Sequence, residues 1–188
     1  MTAKPSSVLP WTPDPWTVDS AKRLAVTIIV AAFANVASGQ QAILLVRHAE
    51  KATDANEPGV LLSEAGTARA ARLAEMLKSA GVTAVYATDT VRARKTAEPL
   101  AKALKLEVRS YSPRDAAGKL APQLLLDRLR KDDASGTVLV VGHQNTVPNI
   151  LEALGYVGKV EIADKQFDDL FVVVPKATGP PTVVRLKY

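Results

Sequence analysis

Only two histidines occur in the 188 residues, His48 and His143. Each stands just beyond a short apolar run: Ala42 to Val46 leads into Arg47-His48-Ala49-Glu50, and Thr137 to Val141 leads into Gly142-His143. A third run, Val82 to Ala87, leads into Thr88 and then Arg92. A neutral imidazole can attack phosphorus, and a second can donate a hydrogen bond to oxygens that gain charge during transfer. A guanidinium offers a planar fork of donors matched to phosphate oxygens. Alone, each residue reads as a solvated or satisfied strand end. Together on one sheet edge, two arginines and both histidines would compose a phosphate pocket.

The elements needed to bring them together are legible in the pattern. Apolar runs at Ala42 to Val46, Val82 to Ala87, Thr137 to Val141 and Leu170 to Val174, with weaker ones at Leu106 to Val108 and Thr182 to Leu186, read as strands. Amphipathic segments lie between them. Ala70, Leu73, Ala74 and Leu77 share one helix face, with Arg69, Arg72, Glu75 and Lys78 on the other. Ser63 is placed to cap that helix, and Glu64 suits the positive end of its dipole. Further helices are expected over about Val91 to Leu104, Leu120 to Lys131 and Thr146 to Leu154, with Gly81, Gly136 and Gly155 where helices should end. Apolar strands alternating with helices predict an α/β fold, a three-layer α/β/α sandwich on a mostly parallel sheet. In such sheets ligands collect beyond the carboxyl ends of the strands.

Arg47-His48-Ala49-Glu50 followed by Gly142-His143 resembles the histidine phosphatase superfamily, also called phosphoglycerate mutase-like. Leu62-Ser63-Glu64-Ala65-Gly66 is similar to the element that opens the first helix in that family. The segment from Tyr86 to Ala97, with its Arg-Ala-x-x-Thr-Ala core at Arg92 to Ala97, resembles the second strand and the helix after it. The resemblance runs from about Ile43 to Leu154. It implies His48 as the phosphorylated nucleophile, Arg47 and Arg92 as phosphate-binding arginines, and His143 as the second pocket histidine. It also implies a histidine acid phosphatase-type hydrolase working through a phosphohistidine, with no metal or other cofactor.

The chain departs from the family pattern in three places. Ala49 replaces the commoner glycine, as in small branches that act as phosphatases. Asp54 stands where many members have an asparagine lining the pocket, and a carboxylate there would repel phosphate unless it points away or meets a cationic part of the substrate. No clear Leu-x-Glu segment follows the second arginine, so the proton donor falls to Asp115 or Glu50, with Asp115 slightly favoured. The bland readings are a capping role for Asp115 and an ion pair with Lys51 or another basic neighbour for Glu50.

Two other functions remain open at this level. A phosphoglycerate-type mutase would return the phosphoryl group to substrate, but only about fifty residues separate Arg92 from His143, leaving little room for a long covering insertion. A non-catalytic phosphate-binding module would keep the pocket without turnover. The net charge of +5 comes from 24 Lys and Arg against 19 Asp and Glu spread along the chain, and aromatics are 5%. That suits an anionic substrate, either a phosphorylated small molecule or a phosphoprotein, better than nucleic acid. The absence of cysteine excludes disulfides, thiolate catalysis and cysteine-ligated zinc.

Residues 1–39 read separately from the domain expected over 40–188. Pro5, Pro10, Pro13 and Pro15 mark an irregular extension, and then Lys22 and Arg23 precede an apolar run from Leu24 to Ala34 and small residues to Gly39. Basic, apolar, then small is the order of a secretory signal peptide near 22–39, with initiation expected nearer Val18. The expected location is periplasmic or secreted, or else N-terminally membrane-anchored, although the run is shorter than the ~20 residues of a spanning helix.

Overall fold

The computed structural model describes residues 42–176 and 178–188; the extension and signal segment expected over 1–39 lie outside the described residues. The described chain forms strands β1 (Ala42–Arg47), β2 (Val82–Thr88), β3 (Val108–Tyr111), β4 (Thr137–Gly142), β5 (Asp169–Val174) and β6 (Thr182–Lys187). Helices α1 (Glu64–Leu77), α2 (Val91–Leu104), α3 (Pro122–Asp132) and α4 (Thr146–Ala153) separate the first five strands. The sheet order is β3-β2-β4-β1-β5-β6. The first four of these neighbours run parallel, and β5 and β6 are antiparallel additions at one side. Among the described residues no helix is long and apolar enough to cross a membrane.

The apolar runs are continuous because β1, β2 and β4 are buried on both faces. Ile43 and Leu45 of β1 face one core with Leu125, Leu126 and Leu129 of α3 and Val147, Ile150 and Leu151 of α4. Leu44 and Val46 face the other core, with Leu73 and Leu77 of α1 and Ala93, Ala97 and Leu100 of α2. Two helices on each face make the three-layer sandwich. Each fully buried leucine contributes about 2 kcal/mol, so the sheet that carries the site edge is rigid.

The register places the strand ends level. Arg47 pairs with Gly142, Ala87 with Val141 and Thr88 with Tyr111, so the carboxyl ends of β1, β2, β3 and β4 share one edge. Because β5 is antiparallel to β1, with Leu170 opposite Val46, its amino end and the segment leading into it lie on that edge too.

Local chemistry corrects three expected boundaries. The strand expected over Leu106 to Val108 runs Val108–Tyr111 instead. Lys105 takes a left-handed conformation with φ of 58°, and the Leu106 amide donates to the Ala101 carbonyl, closing α2 with a cap usually made by glycine. α3 begins at Pro122, not Leu120, because proline suits the first helical turn and disfavours helical geometry in the residue before it. α4 stops at Ala153, one residue early, where Gly155 at φ of 88° lets the Tyr156 amide reach the Leu151 carbonyl.

The start of α1 is tied to the loop after β1. Ser63 caps the helix by accepting from the Gly66 amide at 3.0 Å, and the Ser63 amide donates to the Glu50 carbonyl at 3.0 Å. A Cβ on Gly66 would lie 2.3 Å from that carbonyl oxygen, so only glycine permits the approach. Gly66→Ala should destabilise the fold by about 2 kcal/mol and lower the thermal midpoint; an unchanged midpoint would contradict this packing.

Candidate phosphate site

His48 follows β1 directly, and its backbone amide donates to the Gly142 carbonyl at 2.9 Å, continuing the β1–β4 ladder by one residue. Its side chain is 4% exposed. Nδ1 lies 2.7 Å from the Ala49 carbonyl oxygen. A carbonyl only accepts, so Nδ1 carries the proton and Nε2 keeps its lone pair. The Nε of Arg92 donates to that Nε2 at 3.2 Å. The Ala49 amide donates to the Thr96 hydroxyl at 2.9 Å, and this hydroxyl donates in turn to the Arg92 carbonyl at 2.8 Å. Thr96 therefore clamps the loop after β1 to the first turn of α2.

Arg47 and Arg92 are both buried. Arg47 Nη1 donates to the carbonyls of Ala163 at 2.8 Å and Gln166 at 3.1 Å, and its guanidinium stacks 4.1 Å from the centroid of the Phe167 ring. Its Nε is buried with no partner among the described residues, and Nη2 makes no hydrogen bond to them, which leaves that edge of the guanidinium unpaired. Arg92 Nη1 is held by the Glu57 carbonyl at 3.0 Å. Among the described residues neither arginine is in an ion pair.

His143 begins the loop after β4. Its amide donates to the Thr146 hydroxyl at 2.7 Å, and its Nε2 lies 2.8 Å from the Thr88 hydroxyl at the end of β2. A Cβ on Gly142 would fall 2.5 Å from the Thr146 hydroxyl, which explains the glycine before this histidine. The two imidazoles meet edge to face with centroids 5.2 Å apart.

These residues line a cavity of about 630 Å³ together with Lys51, Asn56, Asp89, Thr90, Arg114, Gln144 and Asn145. A larger groove between α1 and α2 contains none of them. Burial, opposed by the Ala49 hydrogen bond but reinforced by His143 and the two arginines, lowers the His48 pKa to about 3. Burial followed by the charges of Arg92 and Arg47 lowers that of His143 to about 4, with Asp89 acting the other way. Both rings are neutral at neutral pH.

The structure thus brings together Arg47, His48, Arg92 and His143. It does not bring in the two expected acids. Glu50 is engaged by Arg69, whose Nε lies 2.9 Å from each carboxylate oxygen and whose Nη2 lies 2.7 Å from one of them. Burial opposes ionisation of Glu50, but the Arg69 hydrogen bonds outweigh it and hold the carboxyl below its usual range. Asp115 is exposed and folds its own turn, its Oδ1 accepting from the amides of Ala117 at 3.0 Å and Lys119 at 2.9 Å. The carboxylate in the cavity lining is Asp89, one residue past β2. Nor does Asp54 line the cavity. Lys51 Nζ gathers the Asp54 and Ala55 carbonyls and the Asn56 side chain, so Asn56, two residues later, faces in. Thr96 was visible within the Arg-Ala-x-x-Thr-Ala segment, whereas Ala163, Gln166 and Phe167 precede a strand and carried no signal.

Residues 43–113 match the profile of the histidine phosphatase superfamily, branch 1. The match takes in β1 through β3 and thus Arg47, His48 and Arg92; His143 lies beyond it and joins the site through the fold. A search of curated proteins finds no match. Among solved structures, the protein histidine phosphatase SixA complexed with tungstate superposes with a TM-score of 0.63 at 19% identity, covering 78% of this chain and 96% of that one. A phosphoserine phosphatase mutant from Entamoeba histolytica in complex with phosphoserine gives 0.59 at 14% identity, covering 77% and 95%. These likenesses place the described chain in the phosphoglycerate mutase-like fold. Among the described residues no group of three or more His, Asp or Glu side chains could hold a metal ion.

The depressed pKa values have a kinetic consequence. The profile of kcat/KM against pH reports the free enzyme's groups. With the substrate's own ionisation near pH ~6 divided out, any turnover at this site should persist as pH falls from 7 to 5, because burial lowers the His48 pKa to about 3. An enzyme limb near the ordinary histidine value of about 6.5 would contradict the burial argument.

Proposed function

We propose that the protein is a metal-independent phosphatase that hydrolyses a phosphomonoester or a phosphoramidate through a phosphohistidine on Nε2 of His48. The observation that carries this reading is the 2.7 Å contact between His48 Nδ1 and the Ala49 carbonyl. It fixes the tautomer whose free lone pair is on Nε2, beside two arginines that form no ion pair among the described residues.

In the first step the phosphoryl group sits in the Nε and Nη2 fork of Arg47 and on Arg92. Arg92 Nε–H leaves the His48 lone pair for a phosphate oxygen, which exposes Nε2 for in-line attack. The Nε2–P bond forms as the bond to the leaving atom breaks. A neutral His143 donates to an equatorial oxygen. In the second step water attacks phosphorus, the P–N bond breaks and neutral His48 returns. Asp89, the carboxyl group in the cavity lining, serves in this reading as the acid that protonates the leaving oxygen and then accepts the water proton. A phosphoramidate, whose nitrogen can be protonated before it leaves, needs that help less. The span between Arg92 and His143 is filled by the rest of α2, β3, the Asp115 turn, α3 and β4, which supports hydrolysis over a mutase reading. Residues 22–39 act in this account as an export signal, and N-terminal sequencing of the mature protein tests it; an intact Met1 would overturn it.

Para-nitrophenyl phosphate should be hydrolysed in excess EDTA. His48→Ala should abolish turnover, and Arg92→Ala should lower kcat/KM by about 10²- to 10³-fold. Activity lost to EDTA and restored by a divalent ion, or a fully active His48→Ala enzyme, would refute the mechanism.

Leaving-group chemistry tests the acid. Asp89→Asn should reduce kcat/KM for an alkyl phosphate far more than for para-nitrophenyl phosphate, because a phenolate leaves without a proton. Equal losses for the two esters would remove Asp89 from this role.

A further inference from the structure

The segment between α4 and β5 touches the phosphate arginine at three points. A tight turn closed by the Gln166 amide on the Ala163 carbonyl, at 3.0 Å, aims two carbonyl oxygens at Arg47 Nη1. The next residue, Phe167, lays its ring against the same guanidinium at 4.1 Å and approaches the His48 ring at 6.1 Å between centroids. Both N–H groups of Nη1 are thereby used, so the guanidinium can rotate neither away from the turn nor off the ring face.

The turn is itself tied down from behind. The Gln166 side chain accepts from the Ala163 amide at 3.1 Å and donates from Nε2 to the Asp169 carboxylate. Asp169 opens β5 and is 2% exposed. Arg185 of β6 grips it with Nε and Nη2, each at 2.8 Å, and Lys187 adds a contact at 2.8 Å. Burial disfavours its charge, but the Arg185 and Lys187 hydrogen bonds outweigh that and keep it ionised. Were this cluster serving only to join β5 to β6, Arg185 and Lys187 would suffice. The third partner, Gln166, leads to the pocket instead.

We propose that residues 163–169 are a positioning unit for the phosphate pocket, in which Phe167 and the Gln166–Asp169 pair hold Arg47 with its Nε and Nη2 edge unpaired and so set affinity for a tetrahedral oxyanion. Phe167 and Gln166 are positioning residues that act through Arg47. The unit explains why the antiparallel strands β5 and β6 belong to the functional architecture: they bring an anchored loop to an edge otherwise made of parallel strand ends. This inference rests on the phosphatase reading above.

The test uses tungstate as a phosphate-shaped probe, with its affinity measured by calorimetry beside steady-state kinetics on para-nitrophenyl phosphate. Phe167→Leu keeps apolar bulk and removes the ring face. It should weaken tungstate binding and raise KM about tenfold, with kcat little changed and the thermal midpoint preserved. Phe167→Tyr should restore both. Gln166→Leu should weaken binding in the wild-type background yet add nothing in an Arg47→Ala background, since its effect passes through that arginine. Additive losses, or unchanged affinity in both single variants, would overturn the proposal while leaving the phosphatase reading intact. A wild-type protein that neither binds tungstate nor hydrolyses the ester would sink both. Should Phe167→Leu fail to fold, the Gln166→Leu cycle decides alone.

Discussion

Two guanidinium groups are kept buried without a carboxylate partner, and the rest of the site follows from that constraint. Burying an unpaired charge is costly, and most proteins answer with a counter-ion. Here the partners are neutral: the carbonyls of Ala163, Gln166 and Glu57, the face of Phe167 and the lone pair of His48. Dipoles relieve part of the desolvation while leaving the positive charge for an anion that arrives later. The same charges, added to burial, keep both imidazoles unprotonated. Burial is the larger cause, and it leaves a free imidazole lone pair beside a cationic cradle.

Holding such a site requires a frame that does not relax. The strand ends are level because β1 and β4 run in strict register to Arg47 and Gly142. Close approaches at Gly66 and Gly142 and the Thr96 clamp then fix the loops that leave them. Two carboxylates near the site are diverted: Glu50 goes to Arg69, and Asp169 goes to Arg185 and Lys187, whereas Asp89 stays in the cavity lining and Asp164 acts on Arg47 only through space. That diversion matters as much as the arginines themselves, since either carboxylate released toward the pocket would cancel the charge that receives phosphate.

The four central residues were legible in the sequence because parallel strands announce themselves as apolar runs, and the residue after each run falls on the functional edge. Arg47, His48 and His143 follow their runs within two residues and Arg92 lies in the first turn of the helix after β2, so the convergence of the four on one cavity could be read, as could the mostly parallel sandwich. The rule fails for β5. Its direction is reversed, so the residues that reach the edge come before the run, and nothing in Ala163 to Asp169 distinguishes such a loop from any other. Asp115 and Glu50 do not line the cavity, for a related reason. Asp115 and Glu50 were chosen by their place along the chain, but a carboxylate's role depends on what its oxygens accept, and both are occupied by local donors. Asp54 and Asn56 differ by two residues in a loop shaped by Lys51, and loop geometry of that kind leaves no periodic trace. The end of α2 at Leu104 was legible, but the start of β3 was not, because the left-handed cap falls on Lys105 with no glycine to mark it and holds Leu106 to the helix.

The account stands or falls on a covalent bond between phosphorus and one nitrogen. Rapid quench of the protein with a labelled phosphoester, followed by denaturation without acid, should trap label that survives alkali and is lost in acid, as a phosphoramidate behaves, and peptide mapping should place it on His48. Label that survives acid, that maps elsewhere, or that appears equally in the His48→Ala variant would contradict the account.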